Sequence, residues 1–529
     1  MSAATGNSHG PGQSSSSGHA GGAGGPGGPG DRSGIGHSNG PVRSHGHGPA
    51  AASLDARRIG TPALVFMIIA ASAPLTVAAG GLPSNFAVTG LLGIPLSFII
   101  LGVILILFAI GYGAMSQHVH NAGAFFAYIA KGLGKRIGVG AALTALMSYN
   151  AMQIGIVGMF GFVFSSLLNS FFGLTVSWVV CALIGWVVVG LMGIARVDFS
   201  AKILGIIVTT EFLVVVIYDV IGLSNSPEGL STAGFAPGDL FVPGIGAVLA
   251  FSIAAFMGFE SGAIYNEEVK DPKRTAGRAT IIAVCLIAVF YAFSGWAMVM
   301  AEGPSQLVPR AQELGPDLMF AYLGEHAPVW FVDLANLLFL TSLLAALVAF
   351  HNIVARYFFA LGRDSVLPSF LARTSRRSGA PVAGSLTQSA LALIVILVFA
   401  AAGASSTDPL FPVVTLFTWL TNMGAFGLVL LMALTALAVI GFLRTQRAEY
   451  STWVRLIAPG IAAIGLFVLF FAIVANFDVL IGTTEPTVLS WLLPLLVLVP
   501  GLIGTLWAFW LRGSRPELYA GIGSGGSLG

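Results

Sequence analysis

Only 9% of this 529-residue chain is charged, while 56% is hydrophobic and the mean hydropathy is +0.89. Soluble domains carry about 25% charged residues, so composition argues against a soluble globular protein and for a polytopic membrane protein. A net charge of +2 gives no electrostatic reason to expect a nucleic-acid partner.

Residues 1–56 are mainly Gly, Ser, Pro and His. Such a segment buries too little apolar area to fold, so a disordered tail is expected. Five of the nine histidines fall here (His9, His19, His37, His45 and His47), and their irregular spacing reads as low complexity rather than as a metal site. The tail has no basic region followed by an apolar core, so no signal peptide is expected.

From there to residue 512 the chain reads as a membrane domain. No Asp, Glu, Lys or Arg lies between Ile59 and Ala130, or between Ile137 and Ala195. A spanning helix takes about 20 apolar residues, and backbone facing lipid must close its own hydrogen bonds. Continuous apolarity, rather than alternation, selects helices over a barrel. Twelve spans are predicted, at 61–84, 90–113, 138–165, 177–194, 200–222, 241–265, 279–301, 329–360, 382–402, 411–441, 454–476 and 489–511. The segment 117–133 is semi-polar and reads as interfacial or re-entrant. Residues 513–529 form a short second tail.

With this map, 23 of the 24 basic residues fall on one side, and only Arg310 falls on the other. The positive-inside rule makes the first side cytoplasmic and puts both termini there. The long outer loop Glu302–Val329, with Glu302, Glu313, Asp317 and Glu325, reads as solvated. Cys181 and Cys285 both lie in apolar runs and read as free buried thiols.

Two spans look interrupted. The first carries Ser72-Ala73-Pro74 and Thr76, with Gly80-Gly81 beyond. Proline removes a backbone donor and clashes with the preceding turn. The sixth carries Phe251, then Phe256-Met-Gly258-Phe-Glu260, which places a carboxylate in an apolar run. A charge at membrane depth costs several kcal/mol and marks a substrate or ion path. Unwound backbone there is tolerated only beside a cavity or under protein cover, and paired breaks point to a transporter site. Half-helix N-termini offer N–H groups and a positive dipole end to a carboxylate. Ser72, Ala73, Pro74, Thr76, Phe251, Phe256 and Gly258 are therefore candidate substrate-binding residues. Asn150 and Gln153 share a helix face in the third span and join them together with Tyr149; interhelical hydrogen bonding is the competing reading. Trp419 and Asn422 are weaker candidates. Asp219 and His351 read as interfacial, and the cluster Glu267, Glu268, Lys270, Asp271, Lys273, Arg274 as an inner loop network.

Three segments carry a resemblance: Phe256-Met-Gly-Phe-Glu260 with Glu267-Glu268 and Pro272; Ala355-Arg-Tyr-Phe-Phe-Ala-Leu-Gly-Arg-Asp364 with Leu367-Pro368; and Gly379-Ala-Pro381. In this order on a twelve-span map, the chain resembles the amino acid–polyamine–organocation permease superfamily over about 57–512. The resemblance implies an all-α membrane protein of LeuT-like fold, in which spans 1–5 and 6–10 form inverted repeats, helices 1 and 6 are discontinuous and spans 11 and 12 are peripheral. It also implies secondary transport of amino acids or related amines across the cell membrane. Where the family commonly shows Gly-x-Gly in the first broken helix, this chain has Ser72-Ala73-Pro74.

Some proton-coupled relatives carry a lysine where this chain has Glu211, after Ser200-Ala201 and Thr209-Thr210. Glu211 falls near mid-bilayer. It is expected to couple transport by gaining and losing H+, to hold Na+ together with Thr341 and Ser342, or to make a structural contact between helices. Glu260 is the second coupling candidate. The competing substrate class is a polyamine or organic cation, including amino acid/amine antiport, because two mid-membrane acids and no mid-membrane lysine suit a cation. An enzyme is not expected: Gly132-Leu-Gly-Lys135 continues with Arg136 rather than Ser or Thr, and neither a metal cluster nor a nucleophile elbow appears.

Overall fold

The computed structural model describes residues 60–119, 124–195, 201–260, 275–375, 379–446, 448–483 and 485–522. Residues 1–56, the cluster Glu267–Arg274 with Pro272, and the last residues of the C-terminal tail lie outside the described residues.

The described residues are helical and contain no strand. In chain order the helices are α1 (Thr61–Ala71), α2 (Leu82–Thr89), α3 (Ile94–Ser116), α4 (Ala124–Gly132), α5 (Lys135–Phe172), α6 (Trp178–Ala195), α7 (Ala201–Ser224) and α8 (Ile245–Ala254). They continue with α9 (Thr275–Glu302), α10 (Leu307–Leu314), α11 (Leu318–His326), α12 (Val329–Arg363), α13 (Val382–Ala402), α14 (Thr418–Leu443), α15 (Ala458–Ala475) and α16 (Val488–Ser514). Among the described residues, ten helices are long and apolar enough to cross a membrane, and each falls on a predicted span. The two remaining predictions, 61–84 and 241–265, fall on shorter helices. Thr61–Ala71 is separated from a π-helical turn at Thr76–Gly81 that leads into α2, and Ile245–Ala254 ends in turns that run to Glu260.

The hub of the bundle is α5, 38 residues long and therefore about 57 Å at 1.5 Å per residue. It packs against α4, α6, α12, α14 and α16. Small residues allow these approaches, as expected where van der Waals packing rather than water exclusion drives association. A Cβ at Gly424 of α14 would lie 2.7 Å from the Ser148 carbonyl oxygen of α5, and one at Gly140 would lie 2.6 Å from the Gly501 carbonyl oxygen of α16. The outward faces of α15 and α16 carry Ile464, Val468, Phe471, Leu502 and Leu506, all exposed. Apolar side chains facing outward are what a lipid solvent requires.

The segment 117–133 holds the nine-residue α4, too short to span, with Phe125, Phe126, Tyr128 and Ile129 buried. The segment Glu302–Val329 is not simply solvated, because it folds into α10 and α11. Glu302 is 3% exposed and pairs with Arg310 at 3.0 Å, while Arg310 also meets exposed Glu325 at 3.7 Å. Burial pushes the Asp317 carboxyl, in the turn between α10 and α11, up to about 6. Asp219 is fully buried within the protein and accepts a hydrogen bond from Ser294 at 2.8 Å. His351 is also buried, and its Nε2 meets the Ser385 hydroxyl at 2.7 Å. Cys181 is buried and Cys285 half-buried, and both are free thiols.

Candidate functional site

The first helix breaks at Ser72–Ala73, where the Ser72 amide still bonds back to Ile68 and Ile69. Ala73 then takes φ +47°, a left-handed conformation rare for a residue with a side chain. Pro74 follows and restarts the helix, since its fixed φ suits a helical first turn. A strained non-glycine residue is kept only where its surroundings over-determine it, and such positions cluster at functional sites. In the second broken region Gly258 takes φ +103°, which no Cβ-bearing residue adopts easily. Its amide donates to Glu260 Oε2 at 3.0 Å.

The two breaks border one cavity. The first broken helix contributes Ser72, Ala73, Thr76 and Asn85, and the second Phe251, Ala254, Ala255 and Met257. The rest of the wall comes from Phe98 of α3, Met152 and Ile156 of α5, Ala346 and Phe350 of α12, and Phe417 and Thr421 at the start of α14. The broken helices are also fastened to each other. Asn85 Nδ2 donates to the Val248 carbonyl at 3.4 Å and the Ser252 hydroxyl at 3.3 Å, and Ser252 meets Ser97 of α3 at 2.7 Å.

Behind the first break lies a relay. Thr76 Oγ1 donates to Ser342 Oγ at 3.1 Å, and Ser342 Oγ donates to Glu211 Oε2 at 3.0 Å. The same carboxylate oxygen accepts the Leu75 backbone N–H at 3.3 Å. Glu211 is 2% exposed, so this carboxylate joins α7, α12 and the unwound part of the first helix without touching bulk solvent. On another side of the break, the Tyr291 hydroxyl of α9 donates to the Ser72 carbonyl at 3.4 Å.

Glu260 occupies a separate aromatic nest. Tyr149 donates to its Oε1 and Tyr112 donates to its carbonyl at 3.3 Å. Tyr112 stacks on Tyr128 at 4.7 Å, and Tyr149 lies 5.5 Å from Tyr357. Both Glu260 oxygens are held, and its side chain does not line the cavity.

Of the sequence candidates, Ser72, Ala73, Thr76 and Phe251 line the cavity, while Glu211 and Ser342 meet directly behind it. Tyr149 belongs to the Glu260 nest instead. Asn150 donates to the Leu146 carbonyl of its own helix, and Gln153 accepts from Gln388 of α13, the interhelical bond that was the competing reading. Phe256 packs behind Phe98 at 5.8 Å, and Pro74 and Gly258 are buried within the breaks rather than on the wall. Thr341 is exposed and donates to the Leu338 carbonyl of its own helix, so it does not join Glu211. Trp419 packs on Phe399 and Asn422 donates to the Thr418 carbonyl; neither reaches the cavity, whereas Thr421 between them does. The sequence reading missed Asn85, Tyr291, Met152, Ile156 and Phe350. Met152 and Ile156 sit at i+3 and i+7 from Tyr149, so a stripe drawn from that tyrosine would have found them.

The family profile described as amino acid permease matches residues 59–503. The chain is 25% identical over 304 residues to the low-affinity putrescine importer PlaP of Escherichia coli (strain K12), covering 56% of this chain and 65% of the relative. It is 26% identical over 320 residues to cationic amino acid transporter 3, mitochondrial, of Arabidopsis thaliana, covering 57% and 51%. With cationic amino acid transporter 4, vacuolar, of the same plant, it shares 28% identity over 160 residues, covering 30% and 26%. The match therefore spans just under two thirds of PlaP and about half or less of the two plant proteins.

Proposed function

Because the chain belongs to the amino acid permease family, we propose that it is a secondary active transporter that moves an amino acid across the cell membrane together with H+. The observation that carries this reading is the unbroken line from cavity to buried acid: Thr76, Ser342, Glu211. We further propose twelve spans, with the two broken helices completing the ten long ones described, and a 57–512 permease domain whose first five and next five spans are inverted repeats. Both termini are cytoplasmic, with the tails 1–56 and 513–529 on that side.

In this mechanism the Ser72–Ala73 and Ala254–Met257 segments present backbone groups to the substrate's ammonium and carboxylate. The ionised Glu211 carboxylate accepts two hydrogen bonds, from Leu75 N–H and Ser342, and bonds of this charge-assisted kind are stronger than neutral ones. They clamp the first break against α7 and α12. Protonation removes the charge, weakens both bonds and frees the break to move. Substrate touching Thr76 biases the same relay, so occupancy and protonation are linked through one hinge. A ligand shifts such an equilibrium only by its differential affinity for the two states, and the shared hinge supplies that difference. Na+ fits less well. Leu75 offers Glu211 a donor rather than a carbonyl, and Thr341 turns away. Glu260, held by Tyr149 and the Gly258 amide, fixes the second break and remains the second coupling candidate.

The test is proton movement in proteoliposomes that hold a pH-sensitive dye. Adding an amino acid pool outside should acidify the lumen in step with uptake. Uptake that neither moves protons nor responds to a pH gradient would overturn the coupling. A second reading, polyamine uptake or amino acid/amine exchange, is favoured by the similarity to PlaP.

A further inference from the structure

We infer that the cavity selects a neutral amino acid with an apolar or aromatic side chain, and discriminates against the diamines and cationic amino acids that the relatives' names suggest. This rests on the transporter reading above and deepens it.

Among the described residues, none that lines the cavity is charged. The wall carries four phenylalanine rings, Phe98, Phe251, Phe350 and Phe417, and two methionines, Met152 and Met257. Its polar side chains are hydroxyls and one amide, and several are already engaged within the protein. The Ser72 hydroxyl donates to the Ile69 carbonyl, the Thr421 hydroxyl to the Phe417 carbonyl, and Asn85 to Val248 and Ser252. Neither neighbouring acid lines the wall. Glu211 is linked to it only through Ser342 and Thr76, and both oxygens of Glu260 are held by Tyr149 and Gly258.

A zwitterion's own two charges can be met by the backbone of the two breaks. A second ammonium, or a guanidinium, would leave water for an apolar wall with no counter-ion, and an unpaired buried charge is strongly disfavoured. An apolar side chain meets the reverse situation, because it exchanges water for rings and thioethers. Phenylalanine faces attract a quaternary ammonium more weakly than tryptophan does, so choline is the sharpest competitor to include.

The experiment is counterflow with the full-length chain in proteoliposomes. Vesicles are loaded separately with phenylalanine, leucine, arginine, putrescine or choline, and entry of the labelled counterpart is measured. Phenylalanine or leucine should exchange faster than arginine, putrescine and choline by about tenfold or more, the scale on which a mismatched pocket discriminates. Faster exchange of any of the three cations overturns this inference and leaves the transporter reading intact. No exchange of any of these compounds, nor of a pool of the remaining amino acids, overturns both. Met152→Glu supplies a wall carboxylate of nearly the same shape and should move the preference toward arginine and putrescine, whereas Met152→Gln should not. If the Glu variant does not fold, the wild-type ratio alone decides.

Discussion

Thr76 has two roles at once: its side chain lines the cavity, and its hydroxyl donates to Ser342, which holds Glu211. Thr76→Val keeps the shape and removes the donor. It should leave substrate KM within a few-fold while lowering the accumulation that a pH gradient drives, a split that measured uptake at fixed and imposed gradients will show. Ser342→Ala removes one of two donors to a buried carboxylate and should cost about 1–3 kcal/mol, read as a lower Tm in detergent. Asp317, outside the spans, gives a pH signature. Its carboxyl is raised to about 6 from an unfolded value near 3.9. The stabilising contribution is therefore complete below about pH 4 and is lost as pH rises through about 6. Asp317→Asn should raise Tm at pH 8 and leave it unchanged at pH 4. Sequence could nominate Glu211 and Ser342 because acids and hydroxyls are rare in apolar runs. Of the named pair Thr341 and Ser342, only Ser342 meets Glu211, since neighbouring positions on a helix point about 100° apart. Sequence also favoured Asn150 and Gln153 over Met152 and Ile156. In a helix apolar on every side, the residue types name the helix and not the face.

Among the elements, the two broken helices were legible because proline and glycine interrupt helices for stated steric reasons. The first helix breaks at Ser72–Ala73, beside the proline, and at Gly80–Gly81 the chain runs through a π-helical turn into α2. Gly80 instead makes room for its neighbours: a Cβ there would sit 3.2 Å from Met159 Cε and 3.4 Å from Phe339 Cζ. The central crossing of α5 and α14 is tighter. At Gly424 a Cβ would lie 2.7 Å from the Ser148 carbonyl oxygen, and neither backbone can give way cheaply. Gly424→Val should therefore destabilise by about 1–3 kcal/mol or more, visible as a fall in Tm and in the yield of monodisperse protein. Such contacts depend on which residues face each other across helices distant in sequence, which hydropathy does not encode.

For the whole molecule, composition and the charge-free stretches were enough to give a multi-pass helical bundle, and all ten long helices fall on predicted spans. The helical segment between α9 and α12, where buried Glu302 pairs with half-buried Arg310, was not legible, because four acids in a polar stretch look the same whether they are solvated or packed. The account as a whole depends on a membrane cavity wired to one buried carboxylate. The most direct measurement compares wild type with Glu211→Gln in proteoliposomes under an inward proton gradient, using a labelled amino acid that the wild type transports. The account predicts that the wild type concentrates it above the outside level, while the variant exchanges it across the membrane but only equilibrates. A Glu211→Gln protein that still concentrates substrate as the wild type does would contradict it.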